Sequence, residues 1–385
     1  MTVTSRLEPW VVTRAEVKQL VGFDGHGARV LSVYLDLEPE RQVTRSYRIV
    51  LEDLVKAARA PLDKQARLDL EAEVARVQEW LEKEPPRARG LAVFSSSAAG
   101  LWATYRLPAH VPDRLSFEIH PLITPLLGLI EDLERYVVAL VDKESARLLT
   151  VFEGRIESVE AFTDDVPGKH DQGGPAQARL QRHHEDHVLR HVKRVVQRLS
   201  ERLRDAQFDR LILAGPEEAT TEVRDHLSHE VARRLVATVP AEMFATDAEI
   251  LRMTLEIEQR VERESEDAIV TAVIDASRSN GPGACGVSST LEAVWLRQVR
   301  TLVVADGLTA SGSECPVDGR LYLEPPGPCP MCGAETLPVG DVLDRAAQLT
   351  LEQEGEVEIV HEAAAERLRD ACEGIGAVLR FRLHA

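Results

Sequence analysis

The stretch that decides the fold is residues 136–162, YVVALVDKESARLLTVFEGRIESVEAF. Two apolar runs flank a polar turn at residues 142–145, and a third run follows Gly154. This pattern predicts three strands joined by short turns, a β-meander. Downstream come a long helical pattern, a strand at residues 210–216 (RLILAGP) and a helix over residues 217–235. Alternating strands and helices predict an α/β layer.

The flanking regions also predict mixed α/β structure. Residues 29–37 and 90–96 have the β-branched and aromatic composition of strands, and residues 46–84 have helical periodicity broken at Pro61. Beyond residue 240, a charged helix runs towards residue 276, and strands are predicted at 301–307 and 356–362 and at the end of the chain. We predict an N-terminal α/β domain (1–131), a central domain (132–239) and a C-terminal α/β domain (240–385).

Composition excludes several classes of protein. The chain has 385 residues, 44% hydrophobic and 29% charged, which is enough apolar material for packed cores. No segment approaches the roughly 18 uninterrupted apolar residues of a membrane span, so we expect a cytoplasmic protein with no membrane partner. The net charge of −18 argues against nonspecific binding to a phosphate backbone. Residues 169–204 are the exception, with nine basic and four acidic residues.

That basic window begins in a segment that we call the glycine loop, residues 167–177 (PGKHDQGGPAQ). Its glycines and prolines disfavour both helix and strand, so we expect an exposed loop. At 100° per residue, the helix after it has an apolar face and an opposite basic face. The basic face, here called the basic stripe, consists of Arg179, Arg182, Arg190, Lys193 and Arg194. Two interpretations stay open, a solvated helix surface and a track for RNA phosphates that continues from the loop.

Gly173-Gly174 followed by Gln177, Arg179 and Arg182 resembles the bacterial branch of the archaeal and eukaryotic class-1 peptide chain release factor superfamily. This superfamily includes the Pelota proteins and the quality-control peptidyl-tRNA hydrolases. The resemblance covers most of the chain and implies a ribonuclease-H-like central domain and a C-terminal domain like the kink-turn-binding ribosomal proteins. The release factor tip is Gly-Gly-Gln, whereas here two residues separate Gly174 from Gln177, as in the Gly-x-x-Gln loop of the quality-control hydrolases.

The resemblance implies hydrolysis of the peptidyl-tRNA ester, with Gly173, Gly174 and Gln177 as the catalytic residues. The glycines would let the backbone approach a tRNA 3′ end, and either the Gln177 side chain or a nearby backbone N–H would orient water and stabilise the oxyanion. It also implies the ribosome and tRNA as partners, with a translational GTPase as a further candidate for delivery. RNA phosphates would be contacted by Lys169, Arg179, Arg182, Arg190, Lys193 and Arg194.

Other functions compete with hydrolysis. One alternative is a non-enzymatic ribosome-binding factor of the hibernation type, and a second is a tRNA nuclease in which Gln177 and Arg179 orient a 2′-hydroxyl. A zinc protease pattern would require a histidine at position 188, which is Val188. The recurrence of His183, His187 and His191 on one face leaves open an adventitious metal or a phosphate contact. No phosphate-binding or dinucleotide-binding glycine motif is present, so we expect no nucleotide cofactor.

Three of the five cysteines lie in a segment that we call the cysteine insertion, residues 312–335. CPVDG (315–319) and CPMCG (329–333) look like two zinc knuckles, with Asp318 where a fourth thiolate would stand. The candidate ligands are therefore Cys315, Asp318, Cys329 and Cys332, with His361 as an alternative to Asp318. Three outcomes stay open: structural zinc, a site that has lost its metal, and a turn that never bound one. Cys285 and Cys372 are expected to be ordinary thiols.

Overall fold

The computed structural model describes residue 12 and residues 14–132, 134–152, 154–164, 177–205, 208–279 and 281–381. Its helices are α1 (Arg14–Val21), α2 (Pro39–Thr44), α3 (Tyr47–Arg59), α4 (Lys64–Lys83), α5 (Thr124–Asp132), α6 (Gln177–Arg204), α7 (Glu217–His226), α8 (His229–Ala232), α9 (Asp247–Arg278), α10 (Val287–Trp295), α11 (Val342–Glu352) and α12 (Glu362–Cys372). Its strands are β1 (Val30–Asp36), β2 (Gly90–Ser96), β3 (Leu101–Leu107), β4 (Arg114–Glu118), β5 (Tyr136–Val141), β6 (Ser145–Phe152), β7 (Arg155–Thr163), β8 (Arg210–Ala214), β9 (Leu235–Val239), β10 (Gly283–Cys285), β11 (Val299–Ala305), β12 (Gly312–Glu314), β13 (Leu321–Tyr322), β14 (Leu337–Val339), β15 (Glu356–Val360) and β16 (Ile375–Leu379). The predicted mixed α/β fold is confirmed. Among the described residues, no helix combines the length and the apolar character needed to cross a membrane.

The chain divides into two compact units. Residues 133–265 form one, and residues 1–132 together with 266–385 form the other. Helix α9 begins in the first of these units and ends in the second. The division into three domains with the predicted boundaries stays a prediction.

The unit of residues 133–265 is built on a five-stranded sheet of order β7-β6-β5-β8-β9. Strands β5, β6 and β7 pair antiparallel, as the predicted meander requires, whereas β8 and β9 extend the sheet parallel to β5. Every residue of β5 is buried, which explains why its sequence is a continuous apolar run instead of an alternating one.

Both faces of this sheet are covered within the unit. Val137, Ala139 and Val141 pack with apolar residues of α6, α7 and α8. The alternate residues of β5 pack on the other face against Ile250 and Ile257 of α9. The predicted apolar face of α6 is confirmed, since Val192, Val195 and Leu199 are buried.

The other unit contains two four-stranded sheets and one small sheet. The antiparallel sheet β3-β2-β1-β4 is covered on one face by α3 and α4. Its other face shares a core with the sheet β10-β16-β11-β15, through residues such as Tyr34 and Leu126. A three-stranded sheet, β13-β12-β14, lies within and beside the cysteine insertion.

Two local predictions differ from the structure. The helix expected over residues 217–235 is two helices, because the chain turns extended at Leu227 and Ser228 caps α8. Residues 235–239 form β9 instead. Cys285 and Cys372, predicted to be separate thiols, form a disulfide. Strand β10 and helix α12 both lie beside β16, and the 87 residues between the two cysteines give no spacing signal for this pair.

Candidate functional site

Of the three predicted catalytic residues, only Gln177 lies within the described part of the chain. Gly173, Gly174 and Lys169 lie outside the described residues. Gln177 is the first residue of α6, so the glycine loop leads directly into this 28-residue helix. The side chains of Gln177, Arg179 and Arg182 also lie outside the described part of the chain.

The described part of the basic stripe consists of three residues with different surroundings. Arg190 is exposed, and its Nε donates to the carbonyl oxygen of Asp186 in its own helix at 3.2 Å. Lys193 is also exposed. Arg194 is engaged, since its Nη1 lies 2.6 Å from Asp164 Oδ1 and its guanidinium lies 4.4 Å from the ring centre of Phe162. Arg190 and Lys193 are therefore more accessible to an RNA phosphate than Arg194.

Further along α6, two arginines outside the predicted stripe form ion pairs. Glu160 of β7 accepts from Arg198 at 3.0 Å and from Arg202 at 3.2 Å. The cationic character of the helix therefore falls towards its C-terminus, because the neighbouring strand supplies matching carboxylates.

His191 does not belong to an exposed histidine face. Its side chain is completely buried, and its Nδ1 lies 2.7 Å from Asp164 Oδ2. The hypothesis that His191 contacts phosphate or metal from the surface is wrong, because the ring faces the sheet. Burial tends to raise the pKa of Asp164, but hydrogen bonds from His191 and Arg194 outweigh it and lower that pKa.

Asp164 is the residue that sequence reasoning missed here. It follows the last residue of β7, and its backbone N–H donates to the carbonyl oxygen of Glu144 at 2.7 Å. One signal was present in the helical pattern. His191 lies three residues after Val188 and four before Val195, so it falls on the apolar face and requires a buried partner.

The four predicted metal ligands come together in the cysteine insertion. Their ligand atoms, from Cys315, Asp318, Cys329 and Cys332, all lie within 4.8 Å of one another. The Sγ atoms of Cys315 and Cys332 are 3.4 Å apart, and Cys329 Sγ is 3.3 Å from Asp318 Oδ2. The alternative ligand, His361, pairs with Glu266 at 2.9 Å and is not part of this cluster.

The two turns of the insertion have the same hydrogen-bond pattern. In the first, Cys315 N–H donates to Arg320 and Gly319 N–H donates to Cys315. In the second, Cys329 N–H donates to Ala334 and Gly333 N–H donates to Cys329. Gly319 and Gly333 both adopt positive φ, which a residue with a Cβ rarely does.

Asp318 therefore occupies in the first turn the place of Cys332 in the second. Cys315 and Cys329 are buried, and Cys332 is exposed. The first turn is held to the rest of its unit by Arg320, whose guanidinium lies 4.5 Å from the ring centre of Trp295. Three thiols and a carboxylate arranged in this way fit a tetrahedral zinc ion with a closed coordination sphere.

Comparison with known proteins gives a family match in the middle of the chain and relatives that align with most of it. Residues 121–259 match the family described as bacterial archaeo-eukaryotic release factor family 10. The chain is 23% identical over 405 residues to peptide chain release factor subunit 1 of Methanosphaera stadtmanae, covering 95% of this chain and 96% of that protein. The corresponding protein of Methanocaldococcus jannaschii is 23% identical over 415 residues, at 96% coverage of both. Among solved structures, S. cerevisiae Dom34, a translation termination-like factor, is similar at a TM-score of 0.43 and 9% identity, over 76% of this chain and 81% of that chain.

The fold and the two nearly full-length sequence similarities define a release-factor-like α/β protein. The chain is therefore similar to the archaeal and eukaryotic class-1 release factor superfamily, as the resemblance predicted.

Proposed function

We propose that the protein binds the ribosome in the cytoplasm and hydrolyses the ester bond of peptidyl-tRNA through Gly173, Gly174 and Gln177. The observation that carries this proposal is the position of α6. The helix starts at Gln177, and its buried apolar residues fix it on the five-stranded sheet. A rigid helix of this kind gives the glycine loop a fixed base, which a positioning mechanism requires.

The chemistry needs little from the protein. Gly173 and Gly174 have no Cβ, so the backbone can approach the tRNA 3′ end closely. The Gln177 amide would orient the attacking water and donate to the oxygen that becomes negative in the tetrahedral intermediate. Because the ester is already activated by its tRNA leaving group, we assign no general base to the protein.

Binding would come from the basic face of α6. Arg190 and Lys193 are exposed and lie on one side of a helix that continues from the glycine loop. They would contact RNA phosphates together with Lys169, Arg179 and Arg182, and such contacts position the protein without reading sequence. The sequence contains no nucleotide-binding motif, so a GTPase that delivers the protein would be a separate chain.

The proposal is tested by peptide release from ribosomes that carry labelled peptidyl-tRNA. Gln177→Ala should reduce the release rate by about 10²–10³-fold, as expected when one oxyanion donor or water-orienting group is removed. Ribosome binding, measured by co-sedimentation, should stay unchanged. Gln172→Ala is the matched control, because it removes the same side chain from the same loop. Equal rates for the wild type and Gln177→Ala would remove Gln177 from the mechanism.

Two other outcomes would point to the alternative functions. If the wild-type protein binds ribosomes but releases no peptide, the protein is a non-enzymatic ribosome-binding factor. This alternative is retained because Gly174 and Gln177 are separated by two residues, which departs from the Gly-Gly-Gln tip of the release factors. If the tRNA is shortened on a denaturing gel, the protein is a nuclease.

We also propose that Cys315, Asp318, Cys329 and Cys332 hold a structural zinc ion. The support is the matching hydrogen-bond pattern of the two turns, which brings three thiols and one carboxylate within 4.8 Å. A bound zinc would connect the two turns, and three thiolates with a carboxylate leave no open position for catalysis.

Elemental analysis of protein purified without added zinc should give about one zinc per chain. Asp318→Cys should keep the metal against a competing chelator at higher concentration, because a thiolate binds zinc more strongly than a carboxylate. Asp318→Ala should lose it, whereas Met331→Ala, an exposed change in the second turn, should not. Wild-type protein without zinc, even after refolding with the metal, would contradict the proposal.

A further inference from the structure

The end of β7 is tied to the middle of α6 by a single carboxylate. Asp164 Oδ2 accepts from His191 and Asp164 Oδ1 accepts from Arg194, at 2.7 and 2.6 Å. Because the pKa of Asp164 is lowered, the side chain is an acceptor only, so His191 must donate from Nδ1–H. Both contacts are therefore hydrogen bonds to a charged group, which are stronger than neutral ones.

Packing holds the two donors in place. The imidazole of His191 is fully buried, and its centre lies 5.9 Å from the ring centre of Phe162. The guanidinium of Arg194 lies over the same Phe162 ring. Phe162 therefore contacts both His191 and Arg194. It precedes Asp164, the acceptor that these two side chains share, by two residues.

A purely structural role is the simplest alternative, since buried histidines are usually satisfied core residues. An apolar side chain would fit the apolar face of α6 at lower cost, because the buried imidazole must be desolvated and hydrogen-bonded. The ring Nε2 has no hydrogen-bond partner among the described residues. The histidine therefore adds one specific feature that packing does not require, a directed bond to Asp164.

Asp164, which accepts that bond, lies at the point where the described chain leaves the sheet. It is the last described residue before residues 165–176, and α6 resumes the described chain at Gln177. From Gln177 to His191 is 14 residues, or about 21 Å along the helix at 1.5 Å per residue. The chain thus leaves the sheet beside the fourth turn of α6 and re-enters at its first residue.

We propose that Asp164, His191 and Arg194 form a positioning clamp that fixes the start of the glycine loop relative to α6 and thereby sets the rate of peptide release. This inference rests on the proposed function. The three side chains act through the loop, so they are positioning residues and not catalytic ones. Arg194, which the sequence analysis assigned to RNA, is in this view chiefly a partner of Asp164.

The test combines release kinetics with proteolysis. Asp164→Asn and His191→Leu should lower kcat for release about 10-fold or more, since small misplacements of reacting groups have effects of this size, while the KM for the ribosomal complex stays unchanged. His191→Asn, which retains a donor near the Nδ1 position, should recover part of the rate. Trypsin cleavage after Lys169 should become several-fold faster in Asp164→Asn.

Glu160→Gln is the matched control. Glu160 lies on the same strand and pairs with Arg198 and Arg202 of the same helix. This change should alter neither kcat nor cleavage after Lys169, and all variants should be compared at equal distance from their thermal midpoints. If Asp164→Asn and Glu160→Gln behave alike in both assays, the clamp is only one of several surface ion pairs and the proposal is wrong.

The two proposals fail in different ways. If the wild-type protein releases no peptide, the proposed function fails, and the clamp is then judged from trypsin cleavage alone. If release occurs normally but Asp164→Asn changes neither kcat nor cleavage, the clamp fails and the proposed function stands.

Discussion

Asp344 of α11 is a buried carboxylate. It accepts hydrogen bonds from a segment more than 200 residues earlier in the chain. Its Oδ1 accepts from the backbone N–H groups of Ile123 and Thr124 at 3.0 and 2.7 Å, and also from the Thr124 hydroxyl. Gln348 donates to its other oxygen and to the carbonyl oxygen of Pro121. Burial raises the pKa of Asp344, opposed by these hydrogen bonds. One side chain thus accepts from the first N–H group of α5, at Thr124, and from the one before it, at Ile123.

We predict that Asp344→Ala lowers the free energy of unfolding by about 3 kcal/mol, because several buried donors lose their acceptor. Urea unfolding of the full chain measures this change. Asp63→Ala is the control, since the exposed Asp63 caps α4 by accepting from the Ala66 N–H and its loss should cost only about 1 kcal/mol. Equal losses for the two variants would mean that Asp344 acts only as a local helix residue.

Glu314 makes stability depend on pH. Burial alone would raise its pKa, but the hydrogen bond from His120 and the charge of Arg345 outweigh burial and lower it. A carboxyl group whose pKa is lowered by folding stabilises the protein above its unfolded pKa, and this contribution is lost as pH falls through the folded value.

We therefore expect Glu314→Gln to destabilise the protein by about 2 kcal/mol at pH 7, a typical value for hydrogen bonds to a charged group. The difference from the wild type should shrink as pH falls below the ordinary glutamate pKa of about 4.3. Denaturant unfolding at a series of pH values tests this, and a difference that stays constant down to pH 3 would contradict it.

At the scale of residues, a contact could be predicted from the sequence only where the residues that make it lie close together along the chain. Cys315, Asp318, Cys329 and Cys332 lie within 18 positions, and their spacing predicted a cluster that the structure contains. The partners of Asp164 are 27 and 30 residues away, and Asp344 serves residues 220 and 221 positions away. No local pattern carries such pairs.

Among the elements, α6 was the most predictable and β9 the least. The apolar face of α6 runs from Val188 to Leu203 and keeps a 3.6-residue period over these turns, so its orientation followed from the sequence. Strand β9 is half exposed at the edge of its sheet, and the short helix before it extends a helical pattern. The break at Ser228 is a capping feature of one residue, which is too weak to outweigh that periodicity.

The surroundings of α6 also change which substitutions test its role in RNA binding. Arg190→Glu with Lys193→Glu should weaken ribosome binding strongly and reduce the dependence of affinity on salt, because two phosphate contacts are lost. Arg194 is left intact, since reversing its charge would place two carboxylates together at Asp164. Binding is measured by co-sedimentation at several salt concentrations.

Arg198→Gln provides the comparison, because Arg198 is on the same helix but is paired with Glu160 and Glu201, and the neutral amide avoids placing a further carboxylate beside them. It should change affinity much less. If the double reversal leaves both affinity and salt dependence unaltered, the exposed basic residues are only a solvated surface.

For the whole molecule, the disulfide between Cys285 and Cys372 is the covalent link. It closes a segment of 87 residues that contains the cysteine insertion, α10 and α11. Crosslinks that close long segments stabilise mainly by restricting the unfolded chain.

We expect Cys285→Ser with Cys372→Ser to lower the free energy of unfolding by about 2–4 kcal/mol under oxidising conditions. Calorimetry of the two forms measures the change. The wild type in the presence of a reductant should approach the double variant. The double variant itself should not respond to the reductant, apart from any effect on Cys315, Cys329 and Cys332. An unchanged midpoint in the double variant would contradict a stabilising role.

The contacts of Asp344 also affect where the chain can be divided for expression. A truncated protein that stops near residue 131 would keep α5 almost entire but lose the carboxylate and the amide that hold residues 121–124, together with the apolar layer that covers Tyr34. Such a piece should aggregate on expression unless residues 266–385 are supplied alongside it, so co-expression of the two halves is the sensible route to a soluble sample.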